Sequence, residues 1–383
     1  MASSWRWGMR PGLSSDPATG SIALAGMRRR RDGFGLARAV ERACDGWVGR
    51  CIVLAAAYVA IGYVVAASVG LPVHWPVGHL RQQARWIFLV TYGPLMIGCL
   101  LAYAGQERET WQRCRRFVLS PSFFLELVVA MAVVNATIMM FVNLKQFIPA
   151  INERLYDSPL WRLDNLLHFG IDPAVVASTL ASEYGLLPWL DRAYLLYYPA
   201  QAVVPLMFLV AKPLRPLRGR FFFAYCLVWM LGGAMYVAWP SLGPVYYQAS
   251  RFWLDQAPYA TYLQELLMRD YVRFRTDPSF YTVKLYQGVA ALPSLHVGVL
   301  TLFAIATSRW RAVSLALWAL VAITFVGSIA LGWHYAVDGY AGALLALISW
   351  VATSLLVHEE REGGVRELRR ADTVRAQSGT HAA

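Results

Sequence analysis

Two short stretches of the chain carry side chains that can do chemistry in otherwise apolar surroundings. GVAALPSLHVGVL contains Ser294 and His296, and GWHYAVDGYAG contains His334 and Asp338, four residues apart. On a helix, side chains at i and i+4 share one face, so the Asp338 carboxylate can accept a proton from one imidazole nitrogen of His334. The other nitrogen is then free to act as a nucleophile or as a base.

The first stretch adds a proton donor and an anion-binding group. His296 suits a general acid toward a leaving oxygen, and Ser294 offers a hydroxyl to an anionic oxygen. A helix that begins near Pro293 presents free N–H groups to the same anion. The set favours phosphoryl transfer through a phospho-histidine. A haem site fits less well, because bis-histidine ligands usually lie within a bundle, and a rhomboid-type protease is disfavoured, because no GxSx motif surrounds Ser294.

The elements that must position these residues are predicted to be membrane helices. Of 383 residues, 57% are hydrophobic and only 15% are charged, whereas soluble domains carry about 25% charged residues. Apolar runs near the ~20 residues that cross a bilayer are Cys51–Gly70, Trp86–Ala104, Phe123–Asn143, Ala193–Ala211, Phe221–Trp239, Leu295–Thr307, Ala312–Leu331 and Tyr335–Val357. We therefore expect an all-α polytopic bundle of about eight transmembrane helices. The sixth run is short, and we expect it to extend at one end.

Arginine-rich connections predict the orientation of the bundle. QERETWQRCRR follows the second run, KPLRPLRGR the fourth and SRWR the sixth. By the positive-inside rule these connections and both termini are cytoplasmic, and the long segments 144–192 and 240–293 lie outside. Ser294, His296 and His334 then meet at one outer face. We expect an integral protein of a bacterial inner or plasma membrane, with its active site on the periplasmic or extracytoplasmic side.

The remaining composition excludes several classes. The net charge of +12 is explained by arginine-rich cytoplasmic loops that face anionic lipid, so no nucleic-acid partner is expected. The five cysteines form no CxxC or CxxH group, so neither a disulfide framework nor a metal site is indicated, and no cofactor is expected. No apolar segment directly follows the arginine cluster at 28–31, so no cleavable signal peptide is expected.

The motifs ALPSLHVG and GWHYAVDGYAG resemble the second and third motifs of the type 2 phosphatidic acid phosphatase (PAP2) superfamily. The PSLH spelling, rather than PSGH, is similar to the inositol phosphorylceramide synthase-like branch. The resemblance covers about Ala193–Val357. It implies that His334 is the phosphate-accepting nucleophile, that Asp338 orients it, that His296 protonates the leaving group and that Ser294 binds phosphate. The implied substrate is a lipid phosphate or phospholipid headgroup, and the acceptor is water or a polyol such as an inositol headgroup.

Two cationic positions of that family are missing. No KxxxxxxRP string is present, because AKPLRPLRGR has the wrong spacing and falls on the predicted inner side. The third-motif arginine position, six residues before His334, is Ser328. The basic run RDYVRFRTDPSFYTVKLYQG offers replacements, and we expect phosphate to be bound by Lys284, Arg275 and Arg273.

We expect four regions along the chain: a disordered cytoplasmic N-terminus (1–45), three transmembrane helices (46–144), a PAP2-like catalytic membrane domain with two long outer loops (145–358) and a cytoplasmic tail (359–383). Asp164 and His168, also four residues apart, form a second polar pair for which a structural role is expected. The alternatives are a non-catalytic lipid transporter or scaffold on the same helical plan, and a haem-binding membrane protein. The transporter or scaffold would tolerate changes at His296 and His334.

Overall fold

A computed structural model of the protein describes residues 46–75, 109, 112, 120–211, 213–278 and 288–356. Within these ranges the chain forms helices, turns and loops, and no strand. The α-helices are α1 (Trp47–Ser68), α2 (Pro121–Ile151), α3 (Asp157–Leu167), α4 (Pro173–Glu183), α5 (Leu187–Tyr194), α6 (Tyr197–Val210), α7 (Arg218–Ala238), α8 (Pro244–Tyr247), α9 (Pro258–Thr276), α10 (Leu295–Ala306), α11 (Arg311–Ala330) and α12 (Ala336–Leu356). The predicted all-α class is confirmed for this part of the chain.

In the part of the chain that the structure describes, six helical segments are long and apolar enough to cross a membrane: Trp47–Ser68, Phe123–Ile151, Leu187–Val210, Arg215–Ala238, Arg311–Ala330 and Ala336–Leu356. The predicted count of eight is not confirmed. The second predicted run, 86–104, lies outside the described residues, as do the termini at 1–45 and 357–383. The sixth predicted run forms α10, which is apolar but has only 12 residues.

The expectation that the sixth run extends at one end is wrong. Helix α10 begins at Leu295 because the Ser294 hydroxyl accepts a hydrogen bond from the Val297 N–H at 3.5 Å and caps the helix. At the other end, the Thr307 hydroxyl donates to the Phe303 carbonyl at 2.8 Å and the chain turns. At 1.5 Å per residue the helix is about 18 Å long, well short of a ~30 Å hydrocarbon core.

Helix α10 lies at the centre of the bundle, where a short helix is sufficient. It packs against α11 and α12 and also contacts α6 and α7. Ten of its 12 residues are buried. Because its apolar side chains are covered by protein rather than by lipid, α10 does not need to match the thickness of a bilayer.

Two glycines allow α10 and α12 to cross closely. A Cβ added to Gly342 would overlap the carbonyl oxygen of Ser294, and a Cβ added to Gly298 would lie 2.8 Å from the carbonyl oxygen of Gly342. Small residues at such crossings let two membrane helices approach backbone to backbone. The crossing lies directly beneath the first turn of α10, so it sets the position of the PSLH motif.

One end of the bundle carries a cluster of arginines. There, Arg50 donates to the Leu356 carbonyl at 2.8 Å and Arg218 forms an ion pair with Glu126 at 2.9 Å. The two arginines belong to the first turns of α1 and α7, Glu126 to the second turn of α2 and Leu356 to the last turn of α12. Helices α10 and α12 both begin at the opposite end, so Ser294 lies there, away from this arginine cluster.

Candidate active site

His334 lies in the turn between α11 and α12, and its ring faces the first turn of α12. Its Nδ1 is 3.4 Å from the Asp338 Oδ2, and the exposed fractions of the two side chains are 6% and 0%. The same carboxylate oxygen accepts a hydrogen bond from the Tyr335 N–H at 2.9 Å. Among the described contacts, the Nε2 of His334 makes no hydrogen bond. The arrangement directs Nδ1 to the carboxylate and leaves Nε2 to meet an electrophile.

Two further carboxylates hold this turn from α3: Asp164, for which the sequence predicts a structural role, and Asp157, which the sequence analysis missed. Asp164 accepts hydrogen bonds from the N–H groups of Ala336 and Val337, each at 2.9 Å, and so caps α12. Asp157, on the same face of α3, accepts a hydrogen bond from the Tyr335 hydroxyl at 3.2 Å. Their seven-residue spacing on an amphipathic helix was the available signal.

Asp157 also binds the segment that follows α7. It accepts hydrogen bonds from the N–H groups of Leu242 and Gly243, at 2.9 and 2.8 Å. Burial raises the pKa of both Asp157 and Asp164, and the backbone hydrogen bonds oppose this rise by favouring the ionised carboxylate. The structural role expected for Asp164 is thus observed, since its carboxylate binds α12 while His168 Nδ1 stands 3.8 Å from it.

His296 faces His334 from the first turn of α10. The ring centroids are 6.3 Å apart. The centroids of Tyr194 and Tyr197 lie 4.9 and 4.3 Å from that of His296, so two phenol rings enclose it. A single phosphoryl group can contact both imidazoles, since near-attack distances are about 3–3.5 Å and proton transfer needs about 2.6–3.2 Å.

Ser294 is fully buried and links the two motifs through its backbone. Its N–H donates to the Asp338 carbonyl at 2.8 Å, while its hydroxyl oxygen caps α10 as described above. No acceptor for the hydroxyl hydrogen is found within the described ranges. The group can therefore donate to an anionic oxygen at the start of α10.

Within the described residues, the cationic side chains predicted from the basic run do not contact the two histidines. Arg273 and Arg275 lie in the last turn of α9. Arg275 Nη2 is 3.7 Å from Glu153 Oε2, and both side chains are exposed. No described contact joins either arginine to His296 or His334. Lys284 lies outside the described residues.

Ser328, at the family's arginine position, supports the His334 turn instead of supplying charge. It is fully buried, and its hydroxyl donates to the Phe325 carbonyl at 2.8 Å. Its own carbonyl accepts the N–H groups of Trp333 and His334, at 2.9 and 3.2 Å. A different cationic residue, Lys145 on α2, packs against Gly288 in the segment that leads into the PSLH motif.

Comparison with known proteins agrees with this architecture. A family model described as the PAP2 superfamily matches residues 158–352, just over half of the chain. The match begins in α3 and ends in α12, so it includes the capping carboxylate Asp164 as well as both histidine motifs. A search of curated proteins and a search of solved structures each found no match. From the two histidine motifs, their convergence at one end of a helical bundle and this match, the chain belongs to the PAP2 superfamily.

Proposed function

We propose that the protein is an integral-membrane lipid phosphatase or phosphotransferase that works through a phospho-histidine on His334. The observation that carries the proposal is the buried His334–Asp338 pair, at 3.4 Å, facing the ring of His296 across 6.3 Å. A nucleophile with a fixed tautomer and a second imidazole within reach of the same phosphorus are what two-step phosphoryl transfer needs.

In the first step, the lone pair of His334 Nε2 attacks phosphorus and forms an N–P bond. The bond from phosphorus to the leaving oxygen breaks, and that oxygen takes its electron pair and a proton from His296. In the second step, an oxygen of water or of an alcohol attacks phosphorus and gives its proton to His296. The N–P bond then breaks, and its electron pair returns to His334. Asp338 holds the imidazolium-like ring throughout, and Ser294, Lys284, Arg275 and Arg273 are the proposed phosphate ligands.

A lipid substrate is supported by the position of the site. The histidines lie at one end of a bundle whose helices are apolar enough to span a membrane, so a phosphate attached to a lipid reaches them from the headgroup layer. The arginine cluster around Arg218 lies at the other end. Because cytoplasmic ends of membrane helices are enriched in arginine, we place both termini inside and the active site on the outer face of a bacterial inner or plasma membrane.

Transfer onto an alcohol is the form of the reaction that we favour. The PSLH spelling is similar to the inositol phosphorylceramide synthase-like branch, and the family's first-motif lysine and arginine are missing. A transferase does not need to hold a free phosphate monoester. Labelled lipid phosphate or phosphatidylinositol, supplied with and without an inositol-type or lipid alcohol, distinguishes the two outcomes: free phosphate indicates hydrolysis, and a new labelled lipid indicates transfer.

Purified protein in detergent tests the mechanism directly. We expect ³²P from a labelled substrate to appear on the wild-type chain as an acid-labile, alkali-stable adduct, which His334→Ala abolishes. Orthovanadate, which mimics five-coordinate phosphorus, should inhibit turnover. Arg162→Gln, a change at an exposed residue of α3, is the control and should retain the adduct. Full turnover by His334→Ala would sink the mechanism. Lipid binding without any phosphate chemistry, and unaffected by His334→Ala, would indicate the transporter or scaffold instead.

A further inference from the structure

Lys145 occupies an unusual place in the bundle. The apolar run predicted from the sequence, Phe123–Asn143, ends before Lys145. Helix α2 in fact continues to Ile151, so Lys145 lies six residues inside the helix, at the end of the bundle that carries the histidines. It is one of only three lysines in the sequence, the others being Lys212 and Lys284.

The Lys145 side chain packs against the segment that leads into the PSLH motif. The backbone of Gly288, with φ +84°, approaches Lys145 so closely that a Cβ on that glycine would lie 3.0 Å from the lysine Cγ. The Nζ lies 5.7 Å from the ring centroid of Tyr236. The Tyr236 hydroxyl in turn lies at the Leu295 N–H and within electrostatic reach of Asp338. Lys145 therefore lies beside the segment that leads into the PSLH motif and beside a tyrosine whose hydroxyl reaches the first turn of α10.

Among the described residues, no ion pair joins this ammonium group to a carboxylate, and the ion pairs found there belong to other cationic groups. An unpaired charge in a membrane helix is costly and usually marks a functional position. Lys145 lies within electrostatic reach of His296, the proposed proton donor. A phosphate dianion beside Lys145 would neutralise its unbalanced positive charge.

We propose that Lys145 binds the substrate phosphate and supplies the cation that the family's first motif would otherwise provide. The residue comes from α2, outside the matched residues 158–352, so the N-terminal helices complete the active site. This inference rests on the proposed phosphoryl-transfer function. The Lys145 ammonium group stabilises the negative charge on the non-bridging phosphate oxygens and takes no part in the covalent steps. It acts alongside Ser294 at the start of α10.

Substitutions at Lys145 test whether its positive charge binds the phosphate. Lys145→Met removes the ammonium group while keeping a long unbranched side chain, Lys145→Arg keeps the charge, and Arg162→Gln removes an exposed cation of α3. We expect Lys145→Met to weaken inhibition by orthovanadate and by inorganic phosphate about ten- to a hundredfold, as for loss of one charged hydrogen bond. Lys145→Arg should recover most of this affinity, and Arg162→Gln should leave it unchanged. Unchanged inhibition of Lys145→Met, with His334→Ala inactive, would overturn the role of Lys145 and leave the proposed function standing. An inactive wild-type protein that binds neither anion would overturn both.

A second measurement uses the unaltered protein and does not depend on the folding of a variant. An amine-acylating reagent is applied with and without orthovanadate, and acylation at each of the three lysines is quantified by mass spectrometry. We expect orthovanadate to protect Lys145 at least severalfold and to leave Lys212 unaffected. Protection of Lys284 alone would assign the phosphate cation to the basic run and refute the assignment to Lys145.

Discussion

The N–H of Ser294 donates a hydrogen bond to the carbonyl oxygen of Asp338 at 2.8 Å. This bond joins the residue that caps α10 to the carboxylate residue that holds His334. A backbone hydrogen bond therefore connects the two histidine motifs, which lie about 40 residues apart in sequence. Any change that separates α10 from α12 will separate the proposed proton donor from the proposed nucleophile, even if neither histidine is altered.

We expect Gly342→Ala to reduce turnover strongly, because the added Cβ would overlap the carbonyl oxygen of Ser294. Overpacking of this kind costs about 1–3 kcal/mol in the free energy of unfolding. Turnover should fall by more than the loss of folded protein explains, since the imidazoles move apart. Thermal unfolding and turnover are measured on the same preparation. The matched control is Gly327→Ala on α11, where the nearest atom would be 3.7 Å from the new Cβ. Equal turnover in both variants would contradict the close crossing.

We expect Asp338→Asn to lower kcat by about a thousandfold or more with little change in the substrate KM. An amide at this position can donate to His334 Nδ1, and it then favours the tautomer with the proton on the attacking nitrogen. The matching Asp→Asn change in serine proteases lowers kcat by at least this much. Steady-state kinetics on a labelled lipid phosphate measure it. Asp255→Asn, at an exposed carboxylate before α9, should behave as the wild type. A kcat within tenfold of the wild type would mean that Asp338 does not orient the nucleophile.

His296→Gln should make turnover sensitive to the leaving group. A general acid contributes about 10²–10⁴-fold, and this contribution matters for an alkoxide but little for a nitrophenolate, which leaves without a proton. We therefore expect a large loss on a lipid phosphate and a much smaller loss on a nitrophenyl phosphate ester. The ratio of the two kcat/KM values is the readout. A uniform loss on both substrates would indicate that His296 only supports the fold of the site.

Asp164→Asn should destabilise the start of α12 and lower turnover. The carboxylate accepts two backbone N–H groups at 2.9 Å, and an amide offers one acceptor oxygen where two are used. We expect a cost of about 1–3 kcal/mol in the free energy of unfolding. Asp172→Asn is the control. The Asp172 Oδ1 caps α4 by accepting the N–H groups of Ala174 and Val175, and an amide oxygen can keep this cap. Its Oδ2 accepts from the Trp161 Nε1–H and from Arg251, which an amide nitrogen cannot do. This variant should lose comparable stability while the folded protein keeps its turnover. Loss of turnover in both would point to a general effect of stability.

Features with a local signal in the sequence were predicted correctly. Apolar runs near the span length predicted membrane helices, and two motifs with characteristic spacing predicted the superfamily. Helix ends were predicted less well. Apolarity does not report that a hydroxyl caps α10 at Ser294, or that α2 continues past Asn143 through Lys145, because helix boundaries depend on caps and on packing partners.

By itself, the sequence determined the helical class and the superfamily, and its four-residue spacing predicted that His334 and Asp338 form a pair. The pair forms although His334 lies in the turn two residues before α12. Only the tertiary structure decided which distant groups lie beside the two motifs. Asp157 and Asp164 bind the His334 turn from α3, and Lys145, on α2, packs against the segment that leads into the PSLH motif. The physical reason is that one buried acid or one lysine in an apolar run looks the same in sequence whether it caps its own helix, meets lipid headgroups or faces another helix. The close packing of α10 against its neighbours gives these residues their partners.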